Sequence, residues 1–267
     1  MIGAMELFVR GVHAVRRSAL WWGLGIAAFA VVTVVFWPGL EDTDALESLG
    51  DMSEDVLAAF GAQDIATPAG YLDGQMFALM LPLLMSGMAI AMATALTAGD
   101  EDAGRLELLH ALPIGRRAVW LSRLAAVVAV VLLVAAALTT LMAVSLDPFS
   151  LEEIGVGQVA AATFACAALA IFHAAVGYAV AGFGGSRGLS IGVAVLVLMG
   201  GYLASFLLPL ADALAGVRKA SPWFWAIGEQ PVSDGVDPGW LLLLAAVTVA
   251  LVAAGTFALE RRDIRSA

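Results

Sequence analysis

Residues 124–144 read LAAVVAVVLLVAAALTTLMAV, twenty-one residues without a charge. About 20 consecutive apolar residues suffice for a helix to cross the hydrocarbon layer of a bilayer. The run does not alternate, as the segments of roughly 10 residues in a membrane barrel do. In lipid the backbone N–H and C=O groups must pair within their own segment, so such a run is helical. Five further stretches also lack Asp, Glu, Lys and Arg: 18–40, 74–99, 154–186, 188–211 and 238–259. These runs predict an all-α polytopic membrane protein with six transmembrane helices. The spans are expected at about 19–37, 75–98, 118–146, 157–183, 188–210 and 239–259, within one transmembrane domain over 1–267. An outer loop 38–74 is the longest connection, and a loop 99–117 lies on the opposite face.

Composition agrees. Of the 267 residues, 61% are hydrophobic and 13% charged, with a mean hydropathy of +0.94. Soluble domains run at about 45–50% apolar and 25% charged. With six spans, eleven of the thirteen Lys and Arg residues fall on the face that carries both termini. That face is expected to be cytoplasmic, which makes the chain a multi-pass protein of the cytoplasmic membrane. Sixteen of the 23 acidic residues fall on the other face, so the pI near 4.6 reflects an acidic outer surface. No basic patch interleaved with aromatics points to nucleic acid.

Local signals refine the layout. Leu7, Val9, Val12 and Val15 interleave with Arg10, His13, Arg16 and Arg17. This is the pattern of an N-terminal amphipathic helix, Met5 to Ser18, lying on the inner surface and feeding span one. The Ala28-Phe29-Ala30 triplet lies inside the apolar run, so the N-terminus is read as uncleaved. The tryptophans fall near span ends and are read as interfacial belts, with packing in an outer cap as the alternative for Trp223 and Trp225. In the outer loop, Thr43 and Ser53 are placed to cap two short helices. Cys166 is the only cysteine, which excludes an internal disulfide and a multi-cysteine metal site. Catalytic and metal-ligating residues are expected to be absent.

The loop after span two reads AGDEDAGRLELLHALPIGRR, residues 98–117. Asp100 to Asp102 place negative charge at a helix start. Glu101 and Arg105 stand at i,i+4 in the favourable order. Leu106, Leu108, Leu109 and Leu112 give the helix an apolar face, and Pro113 with Gly115 stops it. Composition leaves two readings open: a helix packed on the span ends, or one docked into a partner protein.

Glu101, Gly104, Glu107-Leu108-Leu109, Pro113 and Arg116 resemble a Glu-x-x-Gly-Thr-x-Glu-Leu-Leu-x-x-x-Pro-x-x-Arg stretch of type 2 ABC export permeases. The family threonine is Arg105 here, which removes its hydroxyl but not the helix. Residues 67–72, Thr-Pro-Ala-Gly-Tyr-Leu, also look like that family's entry to span two. The resemblance implies that Glu101, Gly104, Arg105, Leu106, Glu107, Leu108, Leu109, Pro113 and Arg116 form a coupling helix seated in a separate ATPase subunit. It further implies two ATPase copies and a second permease chain, identical or not. The only lysine, Lys219, lies in an outer loop and no phosphate-binding Gly-x-x-x-x-Gly-Lys-Ser/Thr loop exists. The chain is therefore expected to hold no cofactor, with ATP and Mg carried by the partner, and to be an exporter subunit rather than an enzyme.

Rival classes rest on mid-span polar groups. Ser86, Thr139, Thr140, His173 and Tyr202 are candidates to line a substrate path. An ion- or proton-coupled secondary transporter is the alternative function, and it would use an ionisable group such as His173. His173 is otherwise read as a helix–helix hydrogen bond, and Ser86 as a packing residue. An intramembrane hydrolase would need a nucleophile and base, for which Ser86 and His173 are the conceivable pair. A third class is a membrane anchor or assembly subunit. The cargo is not encoded in any motif.

Overall fold

A computed structural model describes residues 4–41, 65–104 and 115–262. Its helices are α1 (Ala4–Glu41), α2 (Pro68–Leu72), α3 (Met80–Leu96), α4 (Ala98–Asp102), α5 (Arg116–Ser145), α6 (Val156–Gly182), α7 (Arg187–Tyr202), α8 (Pro222–Ile227) and α9 (Pro238–Arg261). No strand occurs among the described residues. Six helical rods are long and apolar enough to cross a membrane: α1, the α2–α4 rod, α5, α6, α7 with its continuation to Leu210, and α9. The chain is an all-α polytopic membrane protein. The two expected outer-loop helices capped by Thr43 and Ser53 lie outside the described residues, as do Arg105 to Ile114.

α6 forms the axis of the bundle and packs against α3, α5, α7 and α9. In its most apolar window 72% of residues are buried, and in the α2–α4 rod 67%, against 17% in α9. The reason is composition. Apolar side chains gain little by leaving lipid for one another, so helices associate through small residues that let backbones approach. A Cβ on Gly182 of α6 would fall on the Gly255 carbonyl of α9. A Cβ on Gly255 would stand 2.7 Å from the Ala179 backbone.

α1 is one unbroken helix, so the segment expected to lie apart on the surface is continuous with span one. It is amphipathic as read, but its buried stripe (Leu7, Gly11 and Val15) faces protein. A Cβ on Gly11 would sit 2.9 Å from the Ala126 Cβ of α5.

Contacts define two ends. At the end holding the arginines, α1 meets α5 at Gly11, and Arg262 meets Glu101. At the other, the Trp37 indole N–H donates to the Ser150 carbonyl at 3.2 Å, and Tyr71 donates to the Thr33 carbonyl at 2.9 Å. The belt reading of the tryptophans needs correction, because Trp37, Trp120 and Trp223 are among the largest fully buried side chains. Trp223 fills the notch at Gly201 and donates to the Leu198 carbonyl at 2.9 Å. Trp22 lies against Gly87, midway along the α2–α4 rod. Only Trp21 among these is widely exposed, at 76%.

Gly182→Val tests the α6–α9 contact. Its branched side chain has no room, so overpacking should lower stability by about 1–3 kcal/mol or more. A reduced melting temperature of the purified chain in detergent, against no change for the open position Gly192→Val, is the expected outcome.

Candidate functional site: the foot of the 99–117 loop

Three consecutive acids open this loop, and each holds a different part of the bundle. Asp100 pairs with Arg123 of α5 at 2.7 Å, and Arg123 also donates to the Leu96 carbonyl at the end of α3. Glu101 receives Arg262 with both oxygens at 2.6 Å. Asp102 accepts the Arg187 backbone N–H at the start of α7, at 2.9 Å. Five-residue α4 makes this divergence geometric, since successive side chains on a helix point about 100° apart.

The Glu101–Arg262 pair is withdrawn from water. The side chains are 4% and 17% exposed. Arg262 also donates to the Gly182 carbonyl at 3.0 Å and the Ala181 carbonyl at 3.1 Å. A guanidinium spends its planar fork well this way, two donors on the carboxylate and others on the carbonyls closing α6. Gly184, with φ +90°, carries the chain past the guanidinium.

Glu101, Gly104 and Arg116, the described members of the sequence motif, converge on the same place. Glu101 holds the Arg262 side chain. Gly104 has φ +68°, a left-handed turn that favours glycine, and its N–H donates to the Glu101 carbonyl at 2.9 Å. Arg116 donates to the Arg262 carbonyl at 3.2 Å. Both feet of the loop are thus tied to the end of α9. Arg105, Leu106, Glu107, Leu108, Leu109 and Pro113 lie outside the described residues, so the expected Glu101–Arg105 pair falls there too. Sequence reasoning missed Arg262 and Arg123 as ion-pair partners, and the Arg187 backbone N–H as a donor to Asp102. The available signal was charge matching at one face, three acids and a surplus of arginines, but nothing local pairs residues 161 positions apart.

The polar residues of the spans are dispersed. Ser86 and His173 meet at 3.0 Å, and both are fully buried. The other ring nitrogen, Nε2, has no hydrogen-bond partner. Thr140 donates back to the Ala136 carbonyl of its own helix at 2.9 Å on an exposed face, and the Thr139 hydroxyl is buried without a partner. Tyr202 stacks with Phe206 and Trp223 at the far end. Among the described residues no group of three or more His, Cys, Asp or Glu gathers as for a metal.

At the far end Asp73 is the counterpart of the loop's foot. Its carboxylate is fully buried and accepts the Val232 N–H at 2.8 Å, the Ser233 N–H at 2.9 Å and the Ser233 hydroxyl at 2.8 Å. It pins the 228–237 connection onto the bundle.

Removing one partner of a buried pair leaves an uncompensated charge, at a cost of about 3–5 kcal/mol, whereas removing both is far milder. Arg262→Ala should therefore lower thermal stability more than Glu101→Gln/Arg262→Ala together. A double-mutant cycle on melting temperature, or on chemical denaturation where reversible, checks this. Additive effects would place the pair outside the stabilising network.

A family model described as the multidrug efflux system permease Rv1217c, C-terminal domain, matches residues 11–259. Comparison with curated proteins found no match. The matched region starts at the Gly11 contact, ends in α9 and takes in every helix that packs on α6. With six membrane-crossing helices and a match over nearly its whole length, the chain belongs to the family of the multidrug efflux system permease Rv1217c C-terminal domain, a family of membrane transport permeases.

Proposed function

We propose that this permease is the membrane subunit of an ATP-binding cassette exporter. It moves a substrate across the cytoplasmic membrane, its termini and the 99–117 loop face the cytoplasm, and a separate ATPase subunit supplies the energy. Two ATPases, carrying ATP and Mg, and a second permease chain complete the assembly. The observation that carries the reading is the anchoring of both loop feet, Glu101 and Arg116, on Arg262. A loop that only connected two spans would need no such base. A loop pushed by a partner needs one, because force applied between residues 105 and 114 must reach the spans rather than dissipate in the connection. Through Arg262 it reaches α9 and the end of α6, through Asp100 it reaches α5, and through Asp102 it reaches α7. The motif residues Leu106, Leu108 and Leu109 supply the apolar contact to the ATPase, and two such pushes on two permease chains alternate the access of the path between them.

An ion- or proton-coupled carrier is the second reading. It is favoured by one observation, the unpartnered Nε2 of buried His173 beside Ser86. The two readings differ in what powers transport.

Purification of the tagged chain from its native membrane in mild detergent should bring down a stoichiometric ATPase with a phosphate-binding loop. Leu109→Asp should release that ATPase and cut ATP-dependent transport at least about tenfold, which corresponds to losing ~1.4 kcal/mol or more of docking. Membrane levels should stay unchanged. Transport that survives ATP depletion, collapses with the ion gradient and is lost in His173→Asn overturns the exporter in favour of the carrier.

A further inference from the structure

A groove of about 440 Å3 runs between α1 and α5 on the outside of the bundle. On α1 it is floored by Ala19, Gly23 and Ala27, one helical stripe of small residues. On α5 its wall is Val134, Ala137 and Leu141. The helices touch closely at Gly11–Ala126, whereas a Cβ on Gly23 would meet only Val134, at 3.8 Å. Exposed Leu20, Leu24 and Leu133 form the rims. The volume lies in the range of about 300–1,000 Å3 typical of small-molecule sites.

One charged side chain lines this groove, Arg16, and it stands toward the end where the other arginines gather. Arg10, six residues earlier, is paired with Glu6 at 2.7 Å. Arg16 has no ion pair among the described residues, and no carboxylate lines the groove. From Val12 to Ala27 the lined face of α1 is about 22 Å long at 1.5 Å per residue. One leaflet of a hydrocarbon core of ~30 Å is about 15 Å deep. An apolar channel longer than one leaflet is deep, with a cation without an ion pair near its mouth, has the shape and charge to take a lipid laid lengthwise, head group at Arg16 and acyl chain beyond it.

We propose that this groove holds one acyl chain of an anionic phospholipid from the leaflet at the arginine-rich end, with the lipid head group paired to Arg16. The stem of Arg16 lies along the apolar wall and its guanidinium reaches the head-group level. A second copy of the chain does not fit the same face. A two-fold pair brings identical patches together, so Arg16 would meet Arg16 with no acid on the groove to offset the repulsion. The inference does not depend on how transport is powered.

The test uses the full-length chain in detergent, offered equal amounts of phosphatidylglycerol and phosphatidylcholine with identical acyl chains. Native mass spectrometry counts the lipids retained. The expected result is one phosphatidylglycerol held in preference to phosphatidylcholine. Arg16→Gln should weaken that preference about fivefold, the worth of one basic residue near an anionic head group. Arg17→Gln, equally charged but outside the groove, should leave it intact. Gly23→Leu, which fills the floor, should release lipid of both kinds. Equal retention by wild type and Arg16→Gln overturns the site, and so does an equal loss in Arg17→Gln, which marks a diffuse basic surface. A Leu24→Cys variant that cross-links to a second copy in the bilayer overturns it as well, because the groove is then a protein interface.

Discussion

In lipid, two apolar side chains gain almost nothing by exchanging a hydrocarbon neighbour for each other. Everything that holds these six helices together follows from that constraint. What remains is close packing and polar pairing, and the molecule uses each where it is strongest. α6, rich in alanine, lets its neighbours approach, and the Gly182–Gly255 contact brings two backbones together. Large side chains fill the core, as Trp37, Trp120 and Trp223 do, and others such as Leu133, Leu196 and Leu242 remain exposed on the outside of the bundle.

Polar pairing is concentrated at the two ends. At one, Asp73 gathers three donors from the 228–237 connection. At the other, Asp100, Glu101 and Asp102 reach α5, Arg262 and α7. Midway, the described polar contact between helices is the Ser86–His173 hydrogen bond. Buried charge is tolerable only where the partner is well placed, so these ends are specified more tightly than the middle. Permeases must change shape, and a bundle fastened at its ends through side-chain hydrogen bonds and ion pairs can reorder there without exposing backbone to lipid.

The six spans were legible because a run such as 124–144 has no other stable state in a membrane. The hydrogen bond expected of His173 is made, to Ser86. Other features were hidden for identifiable reasons. The Arg10, His13, Arg16 and Arg17 pattern suits a helix lying at an interface, and only the burial of Leu7, Gly11 and Val15 shows that its apolar stripe meets protein. Trp37 and Trp223 stand near span ends in sequence, as belt residues do, yet both rings are buried and their indole N–H groups are spent on the Ser150 and Leu198 carbonyls. In the loop's foot, Glu101, Gly104 and Arg116 were visible as a motif, but Arg262, the residue they share, lies beyond the last span with no pattern around it.

The close approach of Gly11 to Ala126 has a mechanical consequence. α1 runs without a break from Ala4 to Glu41, and helices of this kind curve only gently. Steric contact at Gly11 makes that point a fulcrum with a short arm toward the N-terminus and a long arm toward Trp37. The long arm is about 39 Å at 1.5 Å per residue, so a tilt of about 5° moves its tip roughly 3 Å. That travel is comparable to the 3.2 Å Trp37–Ser150 hydrogen bond at the far end. A tilt of α1 about Gly11 would therefore be felt as the making or breaking of the Trp37–Ser150 contact at the far end.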